Sequence, residues 1–357
     1  MMQISPEIQL FIREHSSDDV RVLALQAKKY PDIDMPTVIT QIAGRKVAAE
    51  KIPSWWEIEK IWYPKHLSLE QCSSEITARY KARLLQGDSL TDLTGGFGID
   101  CSFLATGFKS ATYVERQEEL CEIAAHNFPV LNLNHINIKN EDGVTYLQAM
   151  SPVDCLFLDP ARRNEHGGKT VAISDCEPNV AELEELLLQK ANRVMIKLSP
   201  MLDLSLALKE LKQTQEVHIL SVNNECKELL ILLGQTSPAE ISIHCVNLFT
   251  KGTQKEQHFV FTREQEQCSE CTYTDSLETY LYEPNASLLK AGAFRSIAAA
   301  YPVRKLHPNS HLYTSDTFIE NFPGRIFRIV NQCSFNKKEV KENLADLKKA
   351  NVTVRNF

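Results

Sequence analysis

The densest group of chemistry-bearing residues is Leu90-Thr91-Asp92-Leu93-Thr94-Gly95-Gly96-Phe97-Gly98-Ile99-Asp100. A short apolar run ending in an acid, a glycine-rich loop and then helix-like Cys101–Leu104 read as a strand–loop–helix unit. Glycines there let the backbone approach a ligand without a Cβ clash. In open α/β sheets such loops lie beyond the carboxyl ends of the strands, where ligands bind. A plain tight turn would also want glycine, so the loop alone does not name a ligand. The dinucleotide fingerprint needs a third glycine where Gly96-x-Gly98-x-x-Cys101 has cysteine. Walker A fails as well, since no Gly-Lys-Ser/Thr follows. Three more acids stand at strand-like ends: Glu115, 23 residues after Asp92; Asp142 in Asn140-Glu141-Asp142-Gly143; and Asp159 in Asp159-Pro160-Ala161-Arg162-Arg163. An acid in the place of Glu115 can accept hydrogen bonds from both hydroxyls of a ribose. Each of these acids could equally be an ordinary strand-end cap.

The elements that must position these residues alternate. Apolar runs at Ser89–Leu93, Ala111–Glu115, His135–Lys139, Asp154–Asp159 and Arg193–Ser199 are separated by helix-like segments such as Glu118–Asn127 and Glu182–Lys190. This pattern predicts a parallel sheet covered by helices on both faces. The last pair, Glu216–Val222 and Glu228–Leu233, is joined only by Asn223-Asn224-Glu225-Cys226-Lys227. So short a link makes an antiparallel hairpin. Before the sheet, residues 1–72 read as a helical domain. Ser5-Pro6-Glu7 and Ser17-Asp18-Asp19 are helix starts, and Val20, Leu23, Ala24 and Ala27 share one helical face. Trp55, Trp56 and Trp62 could stack on bases; packing against the next domain is the expectation. After Pro238 two strands (Glu240–Phe249, His258–Thr262) precede an acidic stretch, and a last block runs from Pro284-Asn285-Ala286 to a Lys-rich segment, Lys337–Lys349, and a strand, Val352–Val354.

The 357 residues carry a formal net charge of −7, which by itself argues against a nucleic-acid partner. The average hides an asymmetry. Residues 284–357 have 5 acidic and 12 basic side chains, and none of the acids lies between Pro284 and Ser315, beside Lys290, Arg295, Arg304 and Lys305. A basic terminal module on an acidic body is a footprint of nucleic-acid binding, although a solvated face would look the same. The longest apolar run, Leu229–Leu233, is too short for a membrane span, and the N-terminal stretch is not signal-like. Ten mostly isolated cysteines suggest a reduced, cytoplasmic protein. Cys268-x-x-Cys271 lacks a second ligand pair, and His258 and Cys245 follow no ligand spacing, so no metal is expected.

Asp92, Gly96 and Gly98 form Asp-x-x-x-Gly-x-Gly, which resembles motif I of class I S-adenosylmethionine-dependent methyltransferases. The whole chain is similar to bacterial methyltransferases with a ferredoxin-like insert and a C-terminal THUMP-like domain. The strings that carry this are Thr77-Ala78-Arg79-Tyr80-Lys81-Ala82-Arg83, Asp92 to Gly98, Asp159 to Arg163, Lys197 to Asp203, and Pro284-Asn285-Ala286-Ser287-Leu288-Leu289-Lys290-Ala291-Gly292. The resemblance implies an α/β, Rossmann-like fold: a mostly parallel seven-stranded sheet with a C-terminal antiparallel hairpin. It implies an N-terminal helical domain (1–72), a methyltransferase core (73–236), a ferredoxin-like α+β domain (237–283) and a THUMP-like basic domain (284–357). It also implies S-adenosylmethionine as cofactor, held by Asp92, Thr94, Gly96, Phe97, Gly98, Glu115, Arg116, Asp142 and Gly143. Within that set Asp92 would sit near the methionine amino group, Glu115 on the ribose and Asp142 on the adenine.

Asp159, Pro160 and Arg162 are the implied catalytic residues. Here the chain departs from the Pro-Pro-aromatic motif of aminomethyltransferases, whose ring stacks on a flipped base. A similar Asp-Pro-Ala-Arg run occurs in 5-methyluridine RNA methyltransferases, which use a cysteine where this chain has Lys197-Leu198-Ser199-Pro200. The expected reaction is therefore methyl transfer to a base nitrogen of RNA, tRNA or rRNA. Arg163, Lys197, Lys290, Arg295, Arg304 and Lys305 are expected to contact that substrate. A non-catalytic RNA-binding protein and a small-molecule methyltransferase are the alternatives. No membrane partner is expected, and the oligomeric state is left open.

Overall fold

The computed structural model describes residues 4–162, 172–236, 238–334 and 336–345, with 349 and 351. Arg163 and the strand expected at Val352–Val354 lie outside them.

Six helices open the chain: α1 Pro6–Glu14, α2 Val20–Leu25, α3 Met35–Lys51, α4 Pro53–Trp56, α5 His66–Gln71 and α6 Glu75–Ala82. Their starts follow the local chemistry. Ser5 caps α1 by accepting from the Ile8 amide, with Pro6 at the first helical position, and Asp19 caps α2. Strands and helices then alternate: β1 Ser89–Asp92, α7 Ile99–Ala105, β2 Ser110–Glu115, α8 Glu118–Val130, β3 Ile136–Asn140, α9 Gly143–Ala149 and β4 Val153–Leu158. Two short strands, β5 Ala161–Arg162 and β6 Cys176–Glu177, pair antiparallel. Next come α10 Val180–Lys190, β7 Ala191–Leu198, α11 Leu204–Glu210, β8 Thr214–Val222, β9 Glu225–Gly234, β10 Ser242–Leu248 and β11 Glu256–Thr262.

The main sheet has nine strands in the order β11-β10-β8-β9-β7-β4-β1-β2-β3. Strands β7, β4, β1, β2 and β3 are mutually parallel, as their helical crossovers require. Asn223 and Asn224, with φ of 49° and 67°, form the tight turn between β8 and β9. That left-handed pair is the turn type that matches strand twist, and asparagine tolerates it. The expected hairpin is present with longer strands. The expected fold class stands, with two more strands than seven.

Those two strands correct one expectation. The segment 237–283 does not form a small separate domain, because β10 runs parallel to β8 and β11 pairs antiparallel with β10. Their alternating apolar residues, among them Ile243, Cys245 and Phe261, are buried as continuations of a sheet face.

The remaining chain holds α12 Arg263–Cys268, β12 Tyr280–Pro284, α13 Ala286–Ala291, α14 Ser296–Ala300, β13 Arg304–Lys305, β14 Tyr313–Ser315, β15 Gly324–Arg328 and α15 Lys337–Asn343. Its strands form a separate antiparallel sheet, β13-β14-β12-β15. Two compact units result, 1–215 with 230–237, and 216–229 with 238–357. No helix among the described residues is long and apolar enough to cross a membrane.

Candidate active site

The strand order reverses around β1, whose neighbours are β2 and β4. That switch point is where an open α/β sheet leaves room for a ligand. The motif loop continues the sheet's pairing there: the Leu93 amide donates to Phe157 O and the Gly95 amide to Val114 O. Gly98 then begins α7 with φ of 86°, a left-handed conformation that glycine adopts without strain. Gly143 opens α9 so close to β1 that an added Cβ would lie 2.2 Å from Leu93 O.

Asp92 ends β1 and is fully buried. Its Oδ1 accepts from the Thr94 amide at 2.9 Å, while Oδ2 has no hydrogen-bond partner among the described residues. Burial pushes this carboxyl up to about 8; the Thr94 amide opposes the shift, and the nearby Asp100, Asp159 and Glu115 reinforce it. Thr94 also accepts the Asp159 amide on its hydroxyl at 2.6 Å, which ties the ends of β1 and β4 together.

Glu115, at the end of β2, accepts the Gly96 amide on one oxygen and the Gln117 amide on the other. It thus shapes the glycine loop directly. Tyr113, its neighbour but one, donates its hydroxyl to Gly96 O at 2.5 Å. Asp142 caps α9 through Oδ1, which accepts from Val144 and Thr145. Arg116 is largely exposed and lies 3.5 Å from Glu177.

Behind the loop lies a charged network that the sequence did not announce. Asp100, in the first turn of α7, pairs with Lys81 of α6 at 2.8 Å and with Lys197 of β7 at 3.3 Å, and accepts the Ser73 hydroxyl. Burial alone would raise the Asp100 carboxyl, but the two ammonium groups overcome it and hold it well below the ordinary range. Lys197 in turn contacts Asp159 at 2.5 Å. Burial raises the Asp159 carboxyl, against the pull of Lys197. The expectation that Lys197 contacts substrate is corrected, since its ammonium is buried against two carboxylates. Lys81 lay inside one of the family-like strings and Asp100 at the end of the glycine-loop segment, yet nothing in their spacing shows that they meet.

Phe97 is also reassigned. Its ring is buried against Trp55 at 5.2 Å and Tyr63 at 6.3 Å, within a cluster formed with α3 to α6. The tryptophans divide accordingly: Trp55 packs on the loop as expected, Trp62 stacks on His126, and Trp56 is exposed. Pro160 is buried, and the backbone of Ala161–Arg162 forms β5.

The basic module changes most. Lys305 is buried, donates to Pro308 O at 2.8 Å and lies over the Phe294 ring. Burial lowers its pKa. Arg304 pairs with Glu278, which precedes the acid-free stretch in the chain but adjoins it in space. Arg295 is exposed, its guanidinium 3.4 Å from Gln267 O, while Glu266 caps α14 by accepting the Phe294, Arg295 and Ser296 amides. Lys290 is half-buried in the last turn of α13. Of this group, Lys305 cannot grip a phosphate from where it stands.

A ferredoxin-like domain family matches residues 280–323, the span of β12 to β14 with their two helices, rather than the expected 237–283. No curated protein matches the chain. Among solved structures, a candidate methyltransferase from Porphyromonas gingivalis W83 is 35% identical, with a TM-score of 0.85 over 98% of this chain and 88% of that one. An rRNA methylase from Streptococcus thermophilus is 14% identical over 44% of this chain and 93% of that one, with a TM-score of 0.33. The Streptococcus mutans protein SMU.1697c, a candidate methyltransferase solved with SAH, is likewise 14% identical, covering 45% and 96%, with a TM-score of 0.33. On identity and coverage together, the chain belongs to the methyltransferase family of the Porphyromonas gingivalis protein.

Proposed function

We propose that the protein is an S-adenosylmethionine-dependent methyltransferase acting on a base nitrogen of RNA. The observation that carries this reading is the buried Asp92 carboxylate at the switch point, with Oδ2 unpartnered among the described residues. A buried carboxyl group with only one oxygen partnered is costly to ionise, and a ligand that brings a positive charge offsets that cost. S-adenosylmethionine, when bound, would supply a methyl group on a sulfonium centre, open to attack by a nitrogen lone pair with the neutral thioether as leaving group. Asp92 would take its ammonium group. Glu115 would accept the ribose hydroxyls, since each of its oxygens keeps a lone pair beyond the amide it already accepts. Asp142 would receive the adenine amine on Oδ2, leaving Oδ1 to its helix. Asp159 would accept a hydrogen bond, and finally the proton, from the target nitrogen. Thr94 fixes the Asp159 backbone and Lys197 its carboxylate, so the group is held before substrate arrives.

The RNA part of the reading rests on the surplus of basic residues in 284–357, with the exposed Arg295 the first candidate. One observation favours a small-molecule substrate instead: Lys305 and Arg304 are already engaged within the protein. Labelled methyl transfer into bulk RNA from a strain lacking the gene separates the two. Label in RNA that is absent with Asp92→Asn, followed by nucleoside mass spectrometry, supports the proposal. Label confined to small molecules selects the second reading, and absence of S-adenosylmethionine binding by calorimetry overturns both.

A further inference from the structure

Three adjacent strands place a row of histidines on one face of the sheet. His218 of β8 lies directly opposite His244 of β10. His258 of β11 opposes Val246, two residues from His244, and two residues along a strand point to the same face. The rings follow one another, His218 to His244 at 4.3 Å and His244 to His258 at 5.3 Å, both stacked. Glu216 shares that face through the same two-residue period, its Oε2 3.3 Å from Nε2 of His218. Glu256 adds a second carboxylate, 4.0 Å from Nδ1 of His258.

We propose that Glu216, His218 and His244 form a binding site for a divalent transition-metal ion of the zinc class. One ligand atom from each lies within 4.8 Å of the others. Zinc–nitrogen and zinc–oxygen bonds of about 2.0–2.1 Å set ligand atoms roughly 3.3 Å apart in a tetrahedron. The Glu216–His218 separation of 3.3 Å already has that length, and His244 needs only a small ring movement to close the set. The two imidazoles are borderline donors that favour such an ion over magnesium or calcium, which prefer all-oxygen sites, and the carboxylate adds charge. Nε2 of His258 stands 3.1 Å from Nδ1 of His244, the kind of contact from a neighbouring group that orients a metal-bound imidazole. His218 is 3% exposed between Val217 and Ile219, a place where a sheet would ordinarily take valine or isoleucine. Glu216 remains one-third exposed, which leaves an ion a route in from solvent.

The test uses the full chain stripped with chelator and titrated with zinc chloride by calorimetry, with metal analysis after dialysis. The expected result is one zinc ion per chain, retained in excess magnesium. His244→Ala and Glu216→Gln should each weaken binding at least tenfold, and Cys268→Ser/Cys271→Ser should leave it unchanged. Glu216→Gln is at a partly exposed position and decides the matter if His244→Ala does not fold. Absence of stoichiometric zinc, full affinity in Glu216→Gln, or loss of zinc with the cysteine pair would each overturn the proposal.

Discussion

Replacing Asp92 by asparagine should stabilise the ligand-free protein while removing its cofactor binding. The folded carboxyl stands at about 8 against 3.8 for an ordinary aspartate, so the folded state keeps a proton that the unfolded chain releases. A group whose folded pKa is raised contributes its stability below the unfolded value and loses it as pH climbs toward the folded one. For Asp92 that window runs from about pH 4 to pH 8. At pH 7 the accumulated cost is about 1.36 × (7 − 3.8), or ~4 kcal/mol. Asparagine keeps the acceptor for the Thr94 amide and carries no titrating group. The variant should therefore match wild type near pH 4 and exceed it by ~4 kcal/mol at pH 7. Urea unfolding followed by tryptophan emission reads this directly, because Trp55 packs on the motif loop itself. Adding S-adenosylmethionine at a hundredfold excess over its dissociation constant should stabilise wild type by ~2.7 kcal/mol and leave the variant unmoved. A stability difference that stays flat from pH 4 to pH 7 would refute the account of Asp92. Equal stabilisation of both proteins by the cofactor would refute its role.

Four further outcomes follow from the charged groups. Lys197→Met leaves Asp159 without its cation and Asp100 with only Lys81; it should cost on the order of 3 kcal/mol in urea unfolding and slow methyl transfer at least tenfold. Asp100 is held below the ordinary carboxylate range by the two ammonium groups, so its contribution to stability is present above pH 4 and is lost as pH falls below that. Acid titration of Asp100→Asn should show a flatter limb in that window, and an unchanged limb would contradict the pairing. In the C-terminal module, Arg295→Ala should reduce the salt dependence of RNA binding by about one unit of slope. Lys305→Met should leave that slope alone, and a fall in it would return Lys305 to the binding surface.

Much of the core was legible because local chemistry and periodicity are local facts. Five apolar runs at the right length gave β1 to β4 and β7 within a residue or two, and Asn223-Asn224 marked the hairpin turn. The second sheet was less legible. Short strands such as Arg304–Lys305 have no periodicity to read, and the boundary expected after residue 236 falls inside a sheet, because β10 pairs with β8.

By itself the sequence determined that an acid ends each of β1 and β2, that a glycine loop follows the first, and that Asp159 closes β4. Those are properties of neighbours along the chain, where hydrogen-bonding pattern and residue size dictate the turn. Only the tertiary structure decided which charges meet. Lys81, Asp100, Lys197 and Asp159 span more than a hundred positions and form one buried network. Glu278 neutralises Arg304 from outside its block, and three histidines scattered over forty residues line up on adjacent strands. Electrostatic and metal-ligand interactions depend on distance in space, which sheet order and register set and which linear spacing does not encode.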